Sequence, residues 1–272
     1  MPSWPAGIAQ SLGDQLVTQR PLLTSYTVYF VSSATGNTAF SGLDPDVPKA
    51  TIAQAIATAS GAGVTPIIVC LSGHAETLTS TLTPAAGTIL VGAGSSGGLP
   101  TVKLAMNASN TIYLTCSAAG VQVRNIWFQA NQQSPNVSKV KFTGINGYCS
   151  GCYFEENGND TAAGLEFGTG GSGGFARNCT FISTATSQSA LPSSGLLVSA
   201  ALTDISIEGC SFSEGVYGYS TQALSFTATV TRLRGELDSL LLGANVTLGA
   251  TTGIFMPTTV TGAGTISYTG GA

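Results

Sequence analysis

The sequence predicts an all-β fold in which one chain winds into a solenoid of short stacked strands. Four segments carry one signature: Arg124-Asn125-Ile126-Trp127-Phe128, Ser150-Gly151-Cys152-Tyr153-Phe154, Arg177-Asn178-Cys179-Thr180-Phe181 and Glu208-Gly209-Cys210-Ser211-Phe212. Their central positions, 126, 152, 179 and 210, recur at intervals of 26, 27 and 31 residues, inside the ~20 to 50-residue range of repeat architectures. Composition agrees. Of 272 residues, 9 are basic and 13 acidic, 35 are Gly and 65 are Ser or Thr, whereas an average globular chain is ~25% charged.

Residues 1–25 do not match the coil pattern. Pro2, Pro5 and Pro21 flank a stretch that includes Trp4, Ile8, Leu12, Leu16 and Val17 with few charges. Such a segment gains little by folding alone and more by lying across another protein, so it reads as an N-terminal docking arm. Val28-Tyr29-Phe30-Val31 then reads as a strand, followed by the loop Ser41 to Pro48. Thr51 and Gln54 make a capping-box pair, and Ile52, Ala55, Ile56 and Ala59 share one helical face, so a short amphipathic helix plugs the start of the solenoid.

Weaker coils are expected at Ile67–Leu71, Thr88–Gly92, Thr101–Leu104 and Thr111–Leu114. The four signature coils follow. In each, Asn or Gly stands where a bend needs positive φ. Beyond the bend, the next residue and the Phe share parity and face inward, and the residue between them faces outward. Stacking puts Ile126, Cys152, Cys179 and Cys210 in one inner column and Phe128, Phe154, Phe181 and Phe212 in another. Leu224-Ser225-Phe226 and Leu233 to Leu237 form a degraded last coil. From Ala244 to Tyr268 apolar and polar residues alternate, which reads as antiparallel strands covering the open end. The resulting division is 1–25 arm, 26–240 β-helix and 241–272 C-terminal β cap.

The opening pattern (Val28 to Val31, Ser41-Gly42, Pro48, Thr51-Ile52, Ala55-Ile56) and the Asn/Gly-x-x-Phe coils resemble the right-handed parallel β-helix proteins of the pectin-lyase-like superfamily, phage tailspike-type members included. The resemblance spans about residues 26–240 and implies a right-handed single-stranded parallel β-helix. It is specific for fold and weak for function, because that superfamily contains lyases, hydrolases, adhesins and inert virion parts.

Composition narrows the function classes. Nine scattered basic residues and a formal net charge of −4 argue against a nucleic-acid surface. No apolar run approaches the ~20 residues of a membrane span. Met1-Pro2-Ser3-Trp4-Pro5 has no basic n-region followed by an apolar h-region, so no Sec signal is expected. Cys149-Ser-Gly-Cys152 imitates half of a zinc site, yet His74 is the one histidine and no second CxxC follows. The six cysteines therefore read as free buried thiols made in a reducing compartment, with neither metal nor cofactor.

Family lyases, by the same resemblance, use acidic Ca²⁺ ligands with a catalytic Arg or Lys, and family hydrolases use clustered Asp with Gly-His-Gly. The 13 acids here form no such motif. The densest group, Glu155, Glu156, Asp160 and Glu166, reads as a solvated loop with one coil-to-coil salt bridge to Arg177. Gly73-His74-Ala75 reads as surface or loop. Gly168 to Gly174 lacks a phosphate-loop lysine and reads as a turn. The five Asn-x-Ser/Thr sequons are expected by chance in so hydroxyl-rich a chain. Trp127 and Tyr153 occupy the outward position on successive coils, and read as a subunit contact in preference to a carbohydrate platform.

The expectation is a structural virion protein: a capsid decoration (cement) protein of a tailed phage, bound to the major capsid protein on the capsid exterior, as a homotrimer. The alternative is a short tailspike-like glycan-binding protein or polysaccharide depolymerase.

Overall fold

In a computed structural model of the chain, the described residues are 26–106, 112–129, 138–156, 163–184 and 194–213, followed by short stretches, mostly strands, between 224 and 268. The expected docking arm, with Trp4, Ile8, Leu12, Leu16 and Val17, lies outside the described residues.

The chain is a right-handed parallel β-helix. Each coil contributes a strand to as many as three sheets. The first sheet has nine strands: Tyr26–Val31, Thr65–Cys70, Ile89–Gly92, Gln122–Arg124, Tyr148–Ser150, Phe175–Arg177, Ile205–Glu208, Leu233–Leu237 and Phe255–Pro257. The second has eight, among them Ala75–Leu78, Lys103–Met106, Trp127–Phe128, Tyr153–Glu156, Thr180–Ser183 and Ser211–Ser213. The third has five: Leu114–Cys116, Val140–Phe142, Ala163–Phe167, Ser194–Val198 and Leu224–Phe226. Neighbours in all three sheets pair in parallel, and a small antiparallel hairpin, Ser95–Ser96 with Leu99–Pro100, decorates one turn.

The C-terminal strands correct the sequence expectation. Phe255–Pro257 pairs with Leu233–Leu237, Val260–Thr261 with Ser239–Leu241, and Ile266–Tyr268 with Val246–Leu248, all in parallel. Alternation of apolar and polar residues reports one buried face and says nothing about strand direction. Continuing the coil needs no new register, and that solution is the one adopted.

The bends explain the repeat. Asn125, Gly151, Asn178 and Gly209 have φ of 51°, 60°, 50° and 56°, the left-handed region that Gly and Asn enter at least cost. Asn125 also uses its side chain, donating from Nδ2 to the carbonyls of Gly92 at 2.7 Å and Gly94 at 3.0 Å on the preceding coil. After each bend, Ile126, Cys152, Cys179 and Cys210 are at most 1% exposed. The rings of Phe128, Phe154, Phe181 and Phe212 stack with centroids 5.0, 4.9 and 4.9 Å apart and planes within 9° of parallel.

The helix Ile52–Ala62 closes the N-terminal end. Thr51 accepts from the Gln54 amide while the Gln54 side chain accepts from the Thr51 amide, and Gly63 ends the helix at φ 64°. Ile52, Ala55 and Ala59 face the solenoid core and are each at most 1% exposed, with Ile56 packed against the same core.

Removing one ring from the stack leaves a cavity between two others. Phe154→Ala and Phe181→Ala should each cost ~3–5 kcal/mol in denaturant titration, and outward Trp127→Ala should cost far less. Equal small losses at all three sites would contradict this placement.

Candidate functional site on the outer faces of the coils

The acidic group splits among three environments. Glu155 faces outward, and its Oε2 accepts the indole N–H of Trp127 at 3.0 Å. Glu156 has the inward parity of Phe154 and is 1% exposed, and a side chain at Gly164 would collide with its Oε1. On the next coil its register partner is the buried Ser183. Glu166 lies outward on the third sheet, yet is only 5% exposed. Its carboxylate takes hydrogen bonds from Ser138 and Ser199 and an ion pair from Lys141 at 2.8 Å. Asp160 lies outside the described residues.

The solvated-loop expectation therefore fails for Glu156 and Glu166. Arg177, the expected partner, is exposed on the first sheet, and the cation that pairs with Glu166 is Lys141 on the preceding coil. Parity placed Glu156 inside, and sequence proximity concealed it. Burial opposes the Glu166 charge, but the hydrogen bonds from Lys141, Ser138 and Ser199 and the Lys141 charge outweigh it, holding this carboxyl below the usual range.

Trp127 and Tyr153 are register partners on the second sheet, with rings 5.2 Å apart in an edge-to-face arrangement. Lys103 Nζ sits 4.3 Å from the centroid of the Trp127 ring. The indole is thus held by a cation, an aromatic edge and a carboxylate, so it is a fixed, half-buried ring. Edge-to-face geometry does not present the two rings as one flat platform.

A second aromatic pair escaped the sequence reading. Tyr148 and Phe175 stack outward on the first sheet at 5.4 Å, and the Arg124 guanidinium lies 4.9 Å over Tyr148 while donating to Gln122 Oε1. The signal was available: each stands three residues before its bend, at Gly151 and Asn178.

His74 also corrects an expectation. It is 1% exposed, where a loop or surface residue was expected. Glu76 has the inward register of Leu104, and its Oε2 accepts both the Ile52 amide at 2.9 Å and His74 Nε2 at 3.1 Å. A carboxylate at the first turn of the plug helix satisfies an orphan amide, and His74 is buried with it.

All six cysteines are free and buried. Cys149 and Cys179, on adjacent coils, have Sγ atoms 3.8 Å apart. Burial pushes the Cys70, Cys116, Cys149 and Cys152 thiols well above their ordinary value. Among the described residues, no three His, Cys, Asp or Glu side chains are grouped to hold a metal ion, and no helix is long and apolar enough to cross a membrane.

Two outcomes follow from this chemistry. Native protein should leave all six thiols unmodified by a thiol reagent until denatured; rapid labelling of Cys149 or Cys152 would contradict their burial. Because the folded Glu166 carboxyl titrates below the unfolded one, its stabilisation is full above the unfolded pKa of ~4.3 and is lost as pH falls through the folded value. Glu166→Gln should therefore flatten the stability loss below about pH 4, followed by denaturant titration.

No family model matches the chain, and no curated protein matches it. Among solved structures it is similar to the pectin methylesterase from Aspergillus niger, at 14% identity and a TM-score of 0.43, over 89% of this chain and 85% of that one. The assignment as a parallel β-helix rests on the chain's own strand pairing.

Proposed function

We propose that this chain is a structural virion protein, a capsid decoration protein of a tailed bacteriophage that binds the major capsid protein and stabilises the shell as a homotrimer. The observation that carries this reading is where the carboxylates are spent. Glu155 pins an indole, Glu156 lies in the coil interior, Glu166 is bound by a lysine and two serines, and Glu76 caps the plug helix. These are roles that hold a rod together.

The outer aromatics suit a contact between protomers. The Trp127 N–H is already satisfied by Glu155, so a neighbouring protomer can cover the ring without stranding a donor. Docking to the capsid is assigned to the arm, through Trp4, Ile8, Leu12, Leu16 and Val17.

The test is an add-back to undecorated shells. Full-length protein should raise shell resistance to heat or low salt, as a partner that binds only the assembled state must. Protein lacking residues 1–20 should not bind, and Glu155→Gln, which keeps an acceptor for Trp127, should act like the unaltered chain. Cleavage of host polysaccharide by the purified protein, abolished by Glu155→Gln, would overturn this reading in favour of a depolymerase.

A further inference from the structure

The first and second sheets meet along a ridge. Arg124, Ser150 and Arg177 end their first-sheet strands, and Trp127, Tyr153 and Thr180 open the second-sheet strands that follow. Between them run the bend residues Asn125, Gly151 and Asn178, with Gly209 on the next coil. The ridge carries no bulky side chain, and the Asn125 carboxamide is turned back onto the carbonyls of Gly92 and Gly94. Two walls of outward side chains flank it.

The walls differ in chemistry on the same coils. The first-sheet wall presents Tyr148 stacked on Phe175, with Arg124 on the coil before them and Arg177 beside Phe175. The second-sheet wall presents Trp127 and Tyr153 in one column and Glu155 and Ile182 in the next. On the second-sheet strands from Trp127–Phe128 to Ser211–Ser213, Glu155 is the one charged residue facing outward among the described residues. One wall thus offers two cations and a phenol, and the other offers a carboxylate. Each also offers an apolar side chain on one shared coil, Phe175 or Ile182, and both of these are only half-buried.

We propose that the two walls are the two halves of one contact between copies of this chain, the first-sheet wall of each protomer meeting the second-sheet wall of the next, with the ridges at the three-fold axis. The inference rests on the homotrimer reading and deepens it, since Trp127 and Tyr153 supply one half only. A cyclic trimer needs two different patches, because its contacts are head-to-tail. Rotation about an axis parallel to the rods moves nothing along that axis, so residues in contact share a coil. Tyr148 then lies opposite the partner's Tyr153 and the partner's Glu155. Its hydroxyl donates to that carboxylate, which has lone pairs beyond the one taken by the Trp127 indole. Phe175 lies opposite the partner's Ile182. Arg124 and Arg177, one coil before and one coil after Tyr148, bracket the carboxylate with positive charge.

The test uses the full chain in solution, without shells. The unaltered protein should have the mass of a trimer. Phe175→Cys combined with Ile182→Cys places one thiol on each wall of the same coil, and mild oxidation should give a covalent trimer by non-reducing denaturing mass analysis. Phe175→Cys combined with Gln129→Cys, two coils apart or about 10 Å along the rod, should give none. Separately, Phe175→Glu alone and Ile182→Arg alone should each shift the mass to monomer with an unchanged circular dichroism spectrum, and the two together should restore the trimer. A monomeric unaltered protein would overturn both the trimer reading and this contact. A trimer that the same-coil pair fails to link, that the displaced pair links equally well, or that survives both single substitutions would overturn this contact and leave the trimer reading standing.

Discussion

Where the chain leaves the first sheet after Arg124, Ser150 and Arg177, it turns through one left-handed residue whose amide bonds a carbonyl on the next coil. Asn125 donates to Ser150, Gly151 to Arg177 and Asn178 to Glu208, each at 2.8–2.9 Å. Because these bends are locked to the coil above, the residues that follow arrive in the same place on each of these turns. Cys falls over Cys and Phe over Phe, and rings 4.9–5.0 Å apart match the ~4.8 Å spacing of paired strands. Shifting one bend by a residue would send a whole Phe column into solvent.

That register also governs the polar groups. A parallel β-helix turns alternate residues of every strand inward, whatever their chemistry. Glu76 and Glu156 fall at inward positions. Glu76 is placed under the plug helix, where an amide needs an acceptor, and Glu156 occupies space that Gly164 leaves open. Lys139, 2% exposed, has its Nζ 5.7 Å from the centroid of the Tyr113 ring. Buried charges of this kind are costly unless satisfied, and they tie neighbouring turns to one arrangement.

Outside, the same lattice produces columns of unlike character. The first sheet begins with an apolar outer face and becomes polar and aromatic after Val91. The second sheet carries Lys103, Trp127 and Tyr153 in line, followed by Thr180 and Ser211. A rod built from one repeat can thus present different surfaces at different heights, and the recognition proposed for it uses that variation.

Much of the fold was legible in the residues alone. The Asn/Gly bends, the Cys and Phe columns, the capping box of Thr51 and Gln54 and the outward pairing of Trp127 with Tyr153 are local patterns repeated at a fixed interval, and local patterns survive in a linear reading. Strand direction at the C-terminus was not legible, because alternation is the same for parallel and antiparallel partners. The burial of Glu156 follows from its own strand, two residues after the inward Phe154, whereas the burial of His74 and Glu166 and the ion pair with Lys141 were not legible. The Glu166 contacts depend on which residue of another coil lies opposite, 25 to 33 positions away. The sequence by itself determined the coil and its inner columns, since these repeat within every turn; only the tertiary structure decided the partners of the charged groups, since these are set by the stacking of one turn on the next.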